Sequence, residues 1–429
     1  MRPGDRVELS VEKAVYRGLG LGRIDGQVVF LPRGLPGDRW RARIAARERG
    51  YLRAAPEALL VPGPGRRPSP CPFVPDCGGC CYQELGYDEQ LRLKESVLRE
   101  SLRRAGAPFE GAIGVHGSPE SGWRTRATFH AEVVEGSVRV GLRGEGSRRV
   151  VALARCLQVS DAMNGVLEAL RGGLAERPAL AARIEDVLLA EGRSGGGVVV
   201  ALAGRLTAVD ASEAMPLADA PGLAGFGLRV GPREGGGFML LRGSSHVTSR
   251  VLETSLRAHV LSFFQGNRFL VEPLAAHVRA LLPEGGTLLD LYAGVGLFAL
   301  THGPRAERVV GIESGATAVA DAEFNAEYAG QRNVRFVEGD VARSLATLAA
   351  DSGERIILDP PRTGAGTDVV RAIAERKPLA IAYVSCDPPT LGRDLRAFSE
   401  HGYRLERLDA FDLFPDSFHL ESVALLKSM

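Results

Sequence analysis

Long apolar runs are missing from this chain of 429 residues. No stretch approaches the roughly 18 consecutive apolar residues from which a membrane-spanning helix is inferred, and this argues against a transmembrane protein. The N-terminal residues MRPGDRVELS also lack the apolar region of a secretion signal. We therefore expect a cytoplasmic protein without a membrane partner.

Net charge is nearly absent as well. The chain has 53 Lys and Arg against 52 Asp and Glu, so the charge of the whole chain does not point to a nucleic-acid partner. The distribution is uneven, however, since residues 1–70 contain 14 Lys and Arg and only 7 Asp and Glu. This basic segment indicates either an anionic partner or a solvated arginine-rich surface, and charge alone does not separate the two.

Internal repeats and long low-complexity tracts are also missing, so the chain is divided by its secondary-structure pattern. Residues 1–60 alternate apolar and polar positions between Gly and Pro, which predicts a small β-barrel. Residues 61–70 are rich in Pro and Gly and predict a linker. Residues 71–254 predict an α+β middle domain. Residues 255–429 alternate strands with helices, which predicts a Rossmann-like α/β domain with a doubly wound parallel sheet.

Cysteine is scarce but concentrated, and four of the six cysteines lie within eleven residues. Cys71, Cys77 and Cys80 have the spacing C-x5-C-x2-C, and Cys156 is a distant fourth candidate ligand. Without a secretion signal, such clustering favours a metal site over disulfides. The spacing suits an iron–sulfur cluster and a zinc ion equally well, and it leaves Cys81 as a packed free thiol.

Acidic residues lie at or near the ends of four predicted strands in the C-terminal domain: Asp290, Glu313, Asp340 and Asp359. Carboxyl ends of parallel strands meet at one edge of a sheet, so these side chains are expected to line a ligand crevice. The turn with Gly294 and Gly296 lacks the third glycine of the dinucleotide fingerprint. An acidic lining repels a pyrophosphate but tolerates a cationic nucleoside such as S-adenosyl-L-methionine (SAM). Any one of the acids is also explained as a helix cap or turn residue.

Cys386 follows the apolar strand PLAIAYV and precedes the loop residues DPP. A lone cysteine after a strand is usually a small buried side chain. Beside a methyl donor, however, a thiolate can add to carbon 6 of uracil and make carbon 5 nucleophilic. A base must then remove the carbon 5 proton, and Glu421, just before the last predicted strand, is the candidate.

Five segments resemble the RNA uracil-5 methyltransferases: FFQGN (263–267), DLYAGVG (290–296), ILDPPRTG (357–364), YVSCDPPTLGRDL (383–395) and FHLESVALL (418–426). The chain is most similar to the 23S ribosomal RNA branch, which has an N-terminal TRAM domain, an OB-like β-barrel, and a 4Fe-4S cluster. The resemblance implies that Cys386 is the nucleophile and Glu421 the base. It also implies a set of SAM contacts: Gln265, Tyr292, Glu313, Asp340 and Asp359.

The same resemblance favours iron–sulfur over zinc and implies four cluster ligands: Cys71, Cys77, Cys80 and Cys156. It implies RNA as the partner, most directly 23S rRNA, bound by a monomeric enzyme. The target uridine is expected to be single-stranded or flipped, because Cys386 cannot reach a stacked base. In the basic segment, Trp40 with Arg39, Arg41 and Arg43 is a candidate stacking and phosphate patch, with a solvated edge strand as the alternative.

Three other functions stay open. One is methylation of a uridine in tRNA. Another is methylation of cytosine, although cytosine-5 enzymes typically carry a second cysteine in the loop corresponding to DPPR (359–362), and none is present here. The third is a non-catalytic RNA-binding or ribosome-assembly factor, against which the intact pair of Cys386 and Glu421 argues.

Overall fold

The computed structural model describes residues 1–74, 76–231 and 236–429. Its first five strands are β1 (Arg6–Val15), β2 (Leu19–Ile24), β3 (Gln27–Pro32), β4 (Arg39–Glu48) and β5 (Tyr51–Val61). They form a closed barrel in the order β1-β2-β3-β5-β4. Alternate side chains of β1 and β4 point inward, and Leu9, Val11, Ala42 and Ile44 are at most 3% exposed. The period-two pattern of the sequence thus produces the predicted barrel.

Helix α1 (Tyr87–Ala105) and strand β6 (Ile113–His116) precede the middle sheet. The next elements are β7 (Arg126–Val134), β8 (Ser137–Arg143), β9 (Val150–Ala152), α2 (Asp161–Ala175), α3 (Pro178–Ala181), β10 (Ile184–Glu191), β11 (Val198–Gly204), α4 (Ala211–Ala214), β12 (Leu223–Val230) and β13 (Gly237–Gly243). Their strands have the order β13-β12-β11-β10-β7-β8-β9. Helix α2 covers this sheet, because Met163, Val166, Leu170 and Leu174 recur at helical spacing and are fully buried.

A hairpin of β14 (His246–Val251) and β15 (Thr254–His259) leads into the C-terminal part. The elements there are α5 (Val271–Leu281), β16 (Thr287–Leu291), α6 (Leu297–His302), β17 (Arg308–Glu313), α7 (Ala316–Tyr328), β18 (Val334–Glu338), α8 (Val341–Thr347), β19 (Arg355–Leu358), α9 (Gly366–Glu375), β20 (Ala380–Ser385), α10 (Pro388–Glu400), β21 (Tyr403–Phe411) and β22 (Glu421–Ser428).

The C-terminal sheet has the order β18-β17-β16-β19-β20-β22-β21-β6. Strands β16 to β20 are parallel to one another, and every residue of β16, β19 and β20 is buried. Such continuous burial is typical of parallel strands that helices cover on both faces. The predicted α/β fold with a doubly wound parallel sheet is confirmed.

The first two elements after the linker belong in space to the C-terminal sheet. Strand β6 pairs in parallel with β21, and helix α1 packs against α10. The Lys94 Nζ of α1 donates to Asp412 Oδ1 at 2.6 Å, and both side chains are at most 1% exposed. The predicted division into residues 71–254 and 255–429 stays a prediction, and α1 and β6 cross it.

Strand β22 runs antiparallel to both of its neighbours, β20 and β21. Ser422 pairs with Ser385, so the first residue of β22, Glu421, lies at the edge of the sheet where β20 ends. This reversal puts an amino end among the carboxyl ends of the parallel strands. None of the helices in the described ranges is long and apolar enough to cross a membrane.

Candidate active site

The carboxyl ends of the parallel strands meet at one edge of the C-terminal sheet. The strands are in register there, with Leu291 paired to Ile312 and to Leu358, and Leu358 paired to Tyr383. The residues that end or follow these strands are Tyr292, Glu313, Asp340, Asp359 and Cys386. The fold therefore brings these sequence-predicted residues to a common edge, as the parallel-sheet rule requires.

The turn after β16 is held in an unusual backbone conformation. Tyr292 has φ +66° and Gly294 φ +55°, and positive φ in a bulky residue such as Tyr292 marks a constrained site. The Gly294 N–H donates to Glu313 Oε2 at 3.0 Å. On the other side of the turn, Asp290 Oδ2 accepts the N–H of Ala299 in α6 at 2.7 Å. The acidic side chains of Glu313 and Asp290 thus fix this turn. Burial raises the pKa of the Asp290 carboxyl group to about 8.

The remaining predicted cofactor residues differ in exposure. Glu313 is half-buried and also accepts the N–H of Gly315 at 2.7 Å, whereas Asp340 is exposed and caps α8. Gln265 is buried, and its Nε2 donates to Asp359 Oδ2 at 3.5 Å. Burial raises the pKa of Asp359 to about 7, and the hydrogen bond from Gln265 opposes this rise. Asp359 therefore retains a titratable proton near neutral pH.

Cys386 and Glu421 lie opposite each other, one residue beyond the pair of Ser385 and Ser422. Burial raises the pKa of the Cys386 thiol to about 12, and the carboxylates of Glu421 and Asp359 add to the rise. Burial, and then the nearby Asp359, hold the pKa of Glu421 well above its usual range. Cys386 is therefore predominantly protonated at neutral pH in this arrangement, and the surroundings of Glu421 favour its protonated form.

The chain stops pairing at Cys386 because a helix begins directly after it. The Asp387 Oδ1 accepts the N–H of Thr390 at 3.0 Å and so caps α10. Pro388 occupies the first helical position, where its missing N–H costs nothing. Cys386 thus lies at a junction between a strand and a helix, and it is only partly buried there.

The four predicted ligand cysteines line one small cavity: Cys71, Cys77, Cys80 and Cys156. The Gln158 Nε2 donates to Cys80 Sγ at 3.0 Å, and the Gly79 N–H donates to Cys77 Sγ at 3.4 Å. Burial raises the pKa of the Cys77, Cys80 and Cys156 thiols. Cys81 instead packs with Leu35 and Leu85.

These four thiols form a donor set of the kind that holds an inorganic cluster or a metal ion. Among the described residues, no three of the sulfur atoms lie within 4.8 Å of one another. Four thiolates on a tetrahedral zinc ion are about 3.8 Å apart, given Zn–S bonds of about 2.3 Å. Hydrogen bonds from N–H groups to sulfur are also among the contacts that tune iron–sulfur clusters. The four thiols and the hydrogen bonds to their sulfur atoms therefore fit an iron–sulfur cluster.

Comparison with known families accounts for most of the chain. A family model described as tRNA (Uracil-5-)-methyltransferase matches residues 86–429. The chain belongs to this family. The methyltransferase also matches the TRAM domain over residues 2–56, which is the barrel. It is an RNA uracil-5 methyltransferase.

Individual relatives extend over the same length. The methyltransferase is 31% identical to the 23S rRNA (uracil(1939)-C(5))-methyltransferase RlmD of Pseudomonas putida, over 99% of this chain and 94% of that one. It is 32% identical to the RlmD of Alkalilimnicola ehrlichii, over 99% and 97%. The crystal structure of Pyrococcus abyssi tRNA (uracil-54, C5)-methyltransferase in complex with S-adenosyl-L-homocysteine superposes with a TM-score of 0.75 at 24% identity, over 97% of this chain and 100% of that one.

The basic surface of the methyltransferase differs in one respect from the prediction. Arg39, Arg41 and Arg43 are exposed on one side of β4 and are called here the β4 arginine face. Trp40 points to the other side, packs against the barrel core and donates its Nε1 hydrogen to Asp38 Oδ2 at 3.0 Å. The predicted patch that combined Trp40 with these arginines is wrong, because neighbouring residues of a strand point to opposite faces.

Two residues beside Cys386 were not predicted. Arg362 lies close enough to Cys386 and Glu421 to favour the charged form of each. Its position after Asp-Pro-Pro at a strand end was a usable signal, since the carboxyl ends of the parallel strands lie at the same edge of the sheet. Tyr16, from the barrel, donates its hydroxyl to Asp387 Oδ2 at 2.5 Å, and no feature of the sequence indicates this contact.

Proposed function

We propose that this methyltransferase methylates carbon 5 of one uridine in 23S rRNA through a covalent bond to Cys386. The observation that supports the chemistry is that Cys386 and Glu421 directly follow and precede the paired residues Ser385 and Ser422, at the edge where the proposed cofactor residues lie. The choice of RNA rests on the two relatives that are named for 23S rRNA and aligned over nearly the whole chain. The β4 arginine face would supply phosphate contacts that hold the RNA.

Five side chains are proposed to bind SAM: Gln265, Tyr292, Glu313, Asp340 and Asp359. Bound there, SAM supplies a methyl group on a positively charged sulfur. A carboxylate that follows the second strand of such sheets is placed to bind ribose hydroxyls, and Glu313 has this position. In its ionised form Asp359 contributes negative charge beside Cys386, which favours a cationic cofactor over a phosphate-bearing one.

Cys386 begins the reaction on the uridine. Its thiolate forms a bond to carbon 6, and the electron pair of the ring double bond moves toward carbon 5 and the carbonyl at position 4. Arg362 favours the thiolate electrostatically, because its positive charge opposes the effects of Glu421 and Asp359 on the thiol. Carbon 5 is then a nucleophile able to accept the methyl group.

Glu421 completes the reaction. In its ionised form it takes the proton from carbon 5, the electron pair restores the ring double bond, and the bond between carbon 6 and sulfur breaks. Because the pKa of Glu421 is held above its usual range, the ionised fraction and this step both increase with pH. The uridine must leave its stack to reach both residues, so base flipping is part of the proposal.

We also propose that Cys71, Cys77, Cys80 and Cys156 bind a 4Fe-4S cluster that holds the cysteine segment to the middle domain. The support is the set of four thiols around one cavity, with N–H groups that donate to two of the sulfur atoms. Protein purified without oxygen should be brown and contain about four iron atoms per chain. Stoichiometric zinc without visible absorption would refute the assignment.

The decisive experiment uses Glu421→Gln, which keeps the size of the side chain and removes its basicity. Methyl transfer should still occur, release should fall by roughly 10²–10⁴-fold, and the methylated RNA should remain bound to the protein on a denaturing gel. The double variant with Cys386→Ala should show no such band. A Cys386→Ala variant with activity near that of the wild type would contradict the covalent mechanism.

Mass mapping of ribosomal and transfer RNA, with and without the enzyme, separates the alternatives. A new 5-methyluridine in 23S rRNA is the expected result. The same product in tRNA, a 5-methylcytidine, or no methylated product at all would instead support the tRNA, cytosine or non-catalytic alternatives, respectively.

A further inference from the structure

The turn between β1 and β2 of the barrel is pressed against the rest of the molecule. Arg17 and Gly18 both have φ +72°, which makes the turn tight. A Cβ atom on Gly18 would lie 2.8 Å from Cys81 Sγ and 3.6 Å from Phe418 Cβ. The turn therefore has no room for a larger residue, and its position relative to the catalytic part is fixed. The residue that precedes this tight turn is Tyr16.

Tyr16 contacts the segment that carries the nucleophile. Its hydroxyl donates to Asp387 Oδ2 at 2.5 Å, while Asp387 Oδ1 accepts the N–H of Thr390 at 3.0 Å. Asp387 is thus held by the barrel through one oxygen and by α10 through the other. Because Asp387 is the direct neighbour of Cys386, its position constrains the backbone of the nucleophile.

Tyr16 also contacts the segment that leads to the base. The edge of its ring lies on Phe418, with centroids 5.6 Å apart and an interplanar angle of 90°. Phe418 in turn packs on His419 at 4.0 Å, just before Glu421 begins β22. One side chain of the barrel therefore touches both segments whose alignment the covalent mechanism requires.

We propose that Tyr16 is a positioning residue for methyl transfer, which makes the barrel part of the catalytic machinery as well as an RNA-binding module. The inference rests on the proposed function, since it needs Cys386 as the nucleophile. Tyr16 acts through Asp387 and does not touch the reacting atoms. A barrel that served affinity alone would require no contact with the residue next to the nucleophile.

The hydrogen bond also affects the charge around the thiol. The groups that face Cys386 are the carboxylates of Glu421, Asp359 and Asp387 and the guanidinium of Arg362. A donor on Asp387 offsets part of its negative charge. Burial and the hydrogen bond to Asp387 both raise the pKa of Tyr16, so the hydroxyl remains a donor throughout the working pH range. Removal of the donor should make the thiolate harder to form.

The test compares Tyr16→Phe with Tyr51→Phe in the full-length enzyme. Tyr16→Phe removes only the hydroxyl and keeps the ring on Phe418, whereas Tyr51 lies in β5 of the same barrel and packs on Phe30. For Tyr16→Phe we expect kcat for RNA methylation to fall roughly 10- to 100-fold, which corresponds to the removal of a hydrogen bond to a charged group. The KM for RNA of this variant should change less than twofold. Tyr51→Phe should match the wild type in both kcat and KM.

A second measurement separates positioning from general loss of structure. In Tyr16→Phe, the pH dependence of the rate at which iodoacetamide labels Cys386 should shift to higher pH. The temperature of thermal unfolding should stay close to that of the wild type. A kcat within twofold of the wild type, or an effect confined to the KM for RNA, would overturn the inference and leave the barrel as an affinity module.

Cys386→Ala is assayed in parallel to separate this inference from the proposed function. If Cys386→Ala is inactive and Tyr16→Phe is normal, only the role of Tyr16 fails. If Cys386→Ala is active, the covalent mechanism fails, and the role of Tyr16 fails with it.

Discussion

The reactivity of Cys386 can be predicted from the groups that surround it. With a pKa of about 12, only about one Cys386 thiol in 10⁵ is ionised at pH 7. The free-energy cost of ionising the thiol at this pH is therefore about 7 kcal/mol. A cysteine with an ordinary pKa near 8.5 is a few per cent ionised at that pH. In the enzyme without RNA, Cys386 should therefore be alkylated on the order of 10³-fold more slowly than an ordinary thiol.

The assay is iodoacetamide labelling from pH 7 to pH 10.5, with the Cys386 peptide quantified by mass spectrometry. The rate should rise about tenfold per pH unit without a plateau below pH 10, because thiolate is the reactive form and a raised pKa keeps the thiol neutral until high pH. Replacing Arg362 by Gln should slow labelling further, since its guanidinium favours the thiolate. The same peptide in urea is the control and should reach a plateau near pH 9. A plateau below pH 9 in the folded enzyme would refute this account of the site.

Three further predictions concern other parts of the molecule. Replacing Lys94 by Ala leaves the buried carboxylate of Asp412 without a positive partner. The free energy of unfolding, measured by denaturant titration, should fall by about 3–5 kcal/mol. The control is Lys13→Ala at a partly exposed ion pair, which should lower the same free energy by less than about 1 kcal/mol. When the three arginines of the β4 arginine face are changed to Gln, the slope of log affinity for RNA against log salt concentration should become shallower. The expected change is about 0.7–0.9 for each phosphate that is no longer neutralised. The control Arg371→Gln, at an exposed position on α9, should leave this slope unchanged. Cys81→Ala should retain the iron content measured by elemental analysis, and Cys156→Ala should lose it; equal loss in both would contradict the proposed ligand set.

The edge that carries the proposed active site was predictable because one topological rule fixes it. Once the apolar strands are recognised, the residues at their carboxyl ends must lie together, and this alone gathers Glu313, Asp359 and Cys386. The orientation of Trp40 was also predictable, since strict alternation along β4 separates it from the arginines. The contact of Tyr16 was not, because it depends on how a barrel packs on a distant sheet, and no local pattern encodes that packing.

The pairing of β6 with β21 has a consequence for synthesis of the protein. Ile113 pairs with Leu408, so the two strands are separated by roughly 300 residues of chain. At about 5–20 residues per second, β6 and the apolar face of α1 leave the ribosome on the order of 15–60 s before their partners exist. The β6 edge of the C-terminal sheet therefore forms only after β21 has been synthesised. Until then the nascent chain exposes the unpaired strand β6, and Lys94 has no carboxylate partner because Asp412 has not yet been synthesised.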